Sequence, residues 1–462
     1  MRKLAYIFFI AFFLFGCATL EDRQKRVQQN PISRSAQNPS MKPAIEKLTA
    51  GKQFRRNGQY DKAIEKLTAG KQFRRNGQYD KAIENYQQAL TLFRKLGRED
   101  GIALSLGNIG LAYWSWGQHD KAIKNYQQAL VINRKLGKED GVATSLSNIG
   151  RVYRSWGQND KAIENYQQAL TIARRLGAED SIATFLNNIG GVYKSLGQYD
   201  KAIENYQQAL VINRKLGKED GIATSLSNIG GVYRSLGQYD KAIENFQQAL
   251  TIARRLGAED GIATSLSNIG GVYRSLGQYD KAIENFQQAL TIARRLGAED
   301  SIITFLNNIG GVYKSLGQYN KAIKNHQQAL TIARRPGSKD KSASTLLYIG
   351  AVYHAWGQYD KAIENLQQGL TLLRKQGIEN LTIARFLNNI SKVYYAWGQY
   401  DKAIENYQQV LTISRRLGKE DGVAAGLHNI GGVYRAWGQY DKAIKNFQQA
   451  LTIARRLGAE DS

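Results

Sequence analysis

The chain has 462 residues, a formal net charge of +25, one cysteine and four histidines. A single cysteine cannot close a disulfide within the chain, and nothing pairs the histidines with it, or with a close carboxylate, at metal-ligand spacing. The surplus of Lys and Arg raises the question of nucleic acid, which is decided by where the charge sits.

Residues 1–16 differ in kind from the rest. Arg2 and Lys3 precede an apolar run from Leu4 to Phe15, the layout of a secretory signal peptide. The run is too short to span a bilayer, which needs about 20 apolar residues. Leu14, Phe15, Gly16 and Cys17 resemble the bacterial lipobox, in which the cysteine is acylated and becomes the mature N-terminus. The resemblance implies that Cys17 carries the lipid, palmitate among its acyl chains. Ala18 in place of Asp after it implies export to the outer membrane, facing the periplasm. Residues 17–43 hold Pro31, Pro39 and Pro43 among many Gln, Asn and Ser, and read as a flexible tether.

Within 44–100 the segment AIEKLTAGKQFRRNGQYDK occurs twice in tandem, at 44–62 and 63–81. The second copy predicts a helix pair over 63–97, with Phe73, Gly77, Tyr79, Ala82 and Tyr86 at the packing and turn positions. The first copy then adds one separate helix, from Ala44 to Asn57.

Nine repeats of forty residues fill 101–462, with one residue inserted in the 381–421 copy. The copies at 221–260 and 261–300 are identical. In 221–260, Leu226, Ile229, Gly230, Tyr233 and Leu236 follow helical spacing, and Gly237 stops the helix. Asp240 is the expected N-cap of a second helix that buries Ala242, Ile243, Phe246, Ala249, Leu250 and Ile252. Arg254 and Arg255 close its last turn, where cations favour the helix dipole. Gly257 ends it and Asp260 caps the next unit. Small residues at Gly230 and Ala242 let the two helices approach closely. In the 301–340 copy Pro336 replaces Leu and predicts an early end to its second helix.

Leu226, Ile229, Gly230, Tyr233, Ala242 and Phe246 resemble the pattern of the tetratricopeptide repeat. The forty-residue period is similar to the repeats of kinesin light chains and related adaptors. The resemblance implies an all-α, right-handed superhelical solenoid of antiparallel helix pairs, with the first helix of each pair lining a concave groove that takes extended peptides. Such solenoids present long surfaces, which points to binding and scaffolding rather than catalysis.

The charge is uneven. Residues 1–100 hold 20 basic and 9 acidic side chains, whereas repeat 221–260 has four of each. The excess therefore gathers beside the expected anchor, where cations meet anionic lipid headgroups. Exported and basic near a membrane, the chain is not expected to bind nucleic acid. No catalytic constellation, metal site, cofactor motif or small-molecule substrate site is legible: the glycines punctuate helices and form no phosphate loop, and the carboxylates recur at turns.

On the first helices, a residue about 150° from the buried set is Asn in eight repeats: Asn108, Asn148, Asn188, Asn228, Asn268, Asn308, Asn389 and Asn429. Tyr348 is the exception. An amide both donates and accepts, so a ladder of amides can pair with a peptide backbone. Gly191, Gly231, Gly271 and Gly311 leave room for it. Beside them run Arg154, Lys194, Arg234, Arg274, Lys314 and Arg435, which favour acidic groups. The expected function is an envelope-anchored scaffold, with no enzymatic activity, whose groove binds an extended acidic peptide. The alternatives are a pilotin-like assembly factor acting on a folded secretion or pilus component, and an adaptor of a signalling pair.

Overall fold

The computed structural model describes residues 42–335, 339–375 and 381–458, and among them there are twenty helices and no strand. The chain divides into two units, residues 1–136 and 137–462. In the first, α1 (Lys42–Arg75), α2 (Tyr79–Leu96), α3 (Glu99–Ser115) and α4 (His119–Lys135) pack in chain order. The second opens with α5 and α6 (Glu139–Ser155, Asn159–Arg175), α7 and α8 (Glu179–Ser195, Tyr199–Lys215), and α9 and α10 (Glu219–Ser235, Tyr239–Arg255). It continues with α11 and α12 (Glu259–Ser275, Tyr279–Arg295), α13 and α14 (Glu299–Ser315, Tyr319–Ala333), and α15 and α16 (Lys339–Ala355, Tyr359–Lys375). The last pairs are α17 and α18 (Leu381–Ala396, Tyr400–Arg416), and α19 and α20 (Glu420–Ala436, Tyr440–Arg456).

The expected separate helix from Ala44 to Asn57 is not present. α1 runs unbroken through Gly58, and the tandem copies form one helix of 34 residues. The chain turns only after the second copy, where Gly77 takes φ +72°. Glycine reaches that left-handed region without the Cβ clash other residues suffer, so it ends the helix.

Each later pair is built on one plan. In α9, Ser225, Leu226, Ile229, Gly230 and Val232 are buried; in α10, Ala242, Phe246, Ala249, Leu250 and Ala253 are. Burying a side chain the size of Phe246 contributes about 1.5–3 kcal/mol, and Leu226, Ile229, Val232 and Leu250 add to it. The close approach falls where the sequence places it. A methyl group on Gly230 would stand 3.0 Å from Phe246 Cε1 and 3.1 Å from the Ala242 carbonyl oxygen.

Asp240 is not the N-cap of α10. Gln238 holds that position without a side-chain bond, and Asp240 lies in the first turn. Asp260 likewise sits inside the first turn of α11, with Ala258 as the cap residue. The carboxylates therefore act on the exposed amides through the helix dipole. As Pro336 implies, α14 is shorter than its counterparts, 15 residues against 17, and ends at Ala333. Pro336 itself lies outside the described residues.

Two polar ladders repeat with the pairs. In most repeats the C-terminal end of the second helix reaches back to the start of its own first helix, as in Arg175–Glu139 at 2.8 Å, Arg255–Glu219 at 2.6 Å and Arg295–Glu259 at 2.8 Å. Lys215–Glu179 and Arg335–Glu299 are the same pairing. These bridges are exposed and each contributes at most about 1 kcal/mol. From α4 onward, a lysine of each second helix also lies over a tyrosine of the first, as Lys241 over Tyr233 at 5.3 Å, which clips the two helices at the turn.

In the second unit, each first helix also touches the next first helix, from α5 through α17, while among the described residues no approach as extensive joins successive second helices. The row with the closer spacing lies on the inside of a curved stack. The first helices therefore form the concave row.

Candidate interaction surface

The basic column stands at the C-terminal turn of the first helices. Arg154, Lys194, Arg234, Arg274 and Lys314 occupy one register position in five successive repeats of the second unit. None of the five forms an ion pair with a carboxylate among the described residues. One cation at the end of most second helices does, through the bridges above. The fold thus pairs part of that set and leaves the concave set uncompensated.

Their environment makes this charge costly to hold. Burial pushes the Lys194 ammonium below its ordinary value, and the neighbouring Arg234 and Arg154 push it further the same way. Arg234 is pushed down by burial and then by Arg274. Like charges crowded at a partly desolvated wall gain by taking an anion between them.

The glycines beside the column are occupied. A methyl group on Gly191 would stand 2.6 Å from Arg154 Nη1, and one on Gly231 would stand 2.6 Å from Lys194 Nζ. On Gly271 it would lie 2.8 Å from Arg234 Nη1, and on Gly311 3.4 Å from Arg274 Nη1. The room that the sequence suggests for a ligand backbone is taken by the basic side chain of the preceding repeat.

All eight asparagines are half-buried rather than fully turned to the groove. Asn228 Nδ2 donates to Asn187 Oδ1 of the repeat before it at 3.2 Å, and Asn429 Nδ2 to Asn388 Oδ1 at 3.5 Å. Asn108 and Asn389 bond back to the carbonyls of Leu104 and Arg385, and Asn148 accepts from Arg151 at 2.8 Å. Among the described residues, Asn188, Asn268 and Asn308 make no such side-chain bond. Asn108 belongs to the first unit and the other seven to the second. Arg435 is separated in register from the basic run, because His354 and Tyr395 hold its position in the two intervening repeats.

Residues that the periodic reading passed over also shape this face. Asn187 bonds to Asn228 and lies 3.4 Å from Ser225 Oγ. Its signal is in the sequence: the residue before the ladder asparagine is Ser at 147, 227 and 267 but Asn at 187, 307 and 388. Tyr348, the exception in the ladder, is 40% exposed and stacks on the buried His326 at 5.7 Å. Cys17 lies outside the described residues. No group of three or more His, Cys, Asp or Glu is placed to hold a metal among the described residues. No helix among them is long and apolar enough to cross a membrane.

The tetratricopeptide repeat model matches residues 67–135, 117–175, 181–255, 221–295, 261–335, 301–375 and 382–456. No curated protein matches the sequence. Among solved structures, BtubC from P. vanneervenii is 24% identical, covering 47% of this chain and 92% of that one with a TM-score of 0.42. A Rap protein complexed with Competence and Sporulation Factor is 18% identical over 78% of this chain and 99% of that one, at 0.49. A signal transduction ATPase with a tetratricopeptide repeat sensor from Pyrococcus horikoshii is 16% identical over 76% of this chain and 53% of that one, at 0.49.

Proposed function

Because this chain belongs to the tetratricopeptide repeat family, whose members are protein–protein interaction scaffolds and generally not enzymes, we propose that it holds an extended acidic peptide along its basic column. The observation that carries this reading is the run from Arg154 to Lys314, one cation per repeat, on the concave row and without a carboxylate partner among the described residues. Acidic side chains or a terminal carboxylate supply the missing charge, and the half-buried amides beside them are within the same wall. The lipobox-like sequence ending at Cys17 supports an anchor in the outer membrane of a bacterial envelope, with the repeats in the periplasm.

Replacing Lys194, Arg234 and Arg274 together with Ala tests the column. The triple variant should lose affinity for an acidic peptide chiefly at low salt, because screened charges contribute less as ionic strength rises. Unchanged binding at both low and high salt would sink the reading. A partner that is retained by this variant but lost after changes on the second-helix face would favour the assembly-factor alternative.

A further inference from the structure

We infer that the column reads the spacing of acidic groups in its ligand, and that Gly191, Gly231, Gly271 and Gly311 set that spacing by seating each cation on the wall of the next repeat; this rests on the acidic-peptide reading above. An interior glycine weakens a helix relative to alanine, so four in succession at one helical position need a reason. Packing of the fold does not supply one. The atoms that a methyl group would meet at these positions are the far ends of Arg154, Lys194, Arg234 and Arg274, at 2.6, 2.6, 2.8 and 3.4 Å. Contrast this with Gly230, one residue earlier, where the atoms met belong to Phe246 and the Ala242 backbone. One glycine of each pair serves the core and the other serves the cation.

The other repeats of the second unit vary at the seat position. Where the preceding repeat offers His354 in place of a cation, the seat position holds Lys392. Gly432 comes one repeat after Tyr395 and has nothing within 4 Å of a methyl position, so it seats no side chain. After Lys314 the seat position holds Ala351, and the run of glycines ends there.

Each cation lies over the glycine of the next repeat, and the seats recur once per repeat. Helices in contact lie about 8–10 Å apart. An extended peptide advances about 3.3 Å per residue, so one repeat corresponds to about three residues. The ligand that meets four seated cations in turn is an extended peptide with an acidic residue at every third position.

Two twelve-residue peptides of equal composition, four Glu and eight Ser, separate the possibilities on the full chain. One carries Glu at every third position and the other carries the four Glu in a block. The spaced peptide should bind about tenfold more tightly, the equivalent of one or two exposed ion pairs. A Gly231→Ala, Gly271→Ala double variant should erase that preference while its melting temperature holds or rises. Equal binding of both peptides by the unaltered chain, with salt-dependent affinity, would overturn the spacing inference and leave the acidic-peptide reading standing. Binding of neither would overturn both. Retention of the preference by the double variant would show that the glycines do not set the spacing.

Discussion

His326 Nδ1 lies 2.8 Å from Asn307 Oδ1, deep in a repeat whose counterparts hold Phe, Tyr or, at 366, Leu at that place. Asn307 directs its amide nitrogen to Thr345 Oγ1 at 3.2 Å, so its oxygen faces the ring and Nδ1 carries the donated proton. Burial first, and then the charge of Lys314, hold the His326 imidazole down at about 4. The folded chain keeps the ring neutral where the unfolded chain, with its ordinary value near 6.5, would take up a proton.

The pH dependence therefore has a definite sign. Between pH 6.5 and about 4 the unfolded state binds more protons, so the contribution of His326 is intact above 6.5 and is lost as the pH falls towards 4. The full loss is about 3 kcal/mol, taken locally around repeat 301–340 because solenoid units open piecewise. Amide protection factors in α13 and α14, taken relative to the intrinsic exchange rate at each pH, should therefore fall from pH 7.5 to pH 5. His326→Phe, which restores the residue found at 246 and 286, should flatten that response. An unchanged response in the variant would assign the effect to other groups.

Asn228 links two repeats and Asn188 and Asn268 do not share that bond, so their replacement should separate structure from binding. Asn228→Ala should cost about 0.5–1.5 kcal/mol of stability, the usual worth of a neutral hydrogen bond. Asn188→Ala and Asn268→Ala should cost less. Changing all three should weaken an acidic peptide by a few kcal/mol at most, read by calorimetry beside a thermal melt. If binding is untouched while stability falls, the ladder is structural.

The fold was legible because two periods coincide: helical spacing within a repeat and forty residues between repeats. What escaped was decided by partners remote in sequence. The nine residues NGQYDKAIE occur at 57–65 and at 76–84, yet the first copy stays helical and only the second turns at Gly77. The difference lies in the packing available to the next segment. α2 folds back and sets Tyr86 against Gly70, whereas Gly58 has no neighbour within 4 Å of a methyl position. A local stop signal acts only when the next helix has somewhere to pack. The site was legible in part. The basic column could be read from register alone, but the contents of the glycine positions could not, because the side chain over each comes from 37 residues upstream.

The anchor can be tested without reference to the repeats. The motive is the apolar run that ends at the single cysteine of the chain. The native protein should fractionate with membranes, and Cys17→Ser should release it or leave the signal uncleaved. A soluble cytosolic native protein would remove the envelope from the proposal and leave the column untouched.

Stability should scale with the number of repeats, because each pair buries its apolar face against its neighbours. One buried cluster in the second unit runs from Ala242 through Phe286 to Ala333, passing from repeat to repeat without closing on itself. Deleting 221–260 is an unusually clean test. The junction sequence is unchanged, since residue 261 begins the same forty residues as residue 221. Glu219 would then meet Arg295 in place of Arg255, restoring the same end-to-start bridge. Lys194 would likewise find Gly271 where Gly231 had been. The shortened chain should keep its helicity per residue by circular dichroism and melt at a slightly lower temperature. It should also bind a spaced acidic peptide of nine residues as the full chain does, while gaining less from the fourth acidic residue. Loss of cooperative melting after this deletion would show that the second unit is held together as one core, not repeat by repeat.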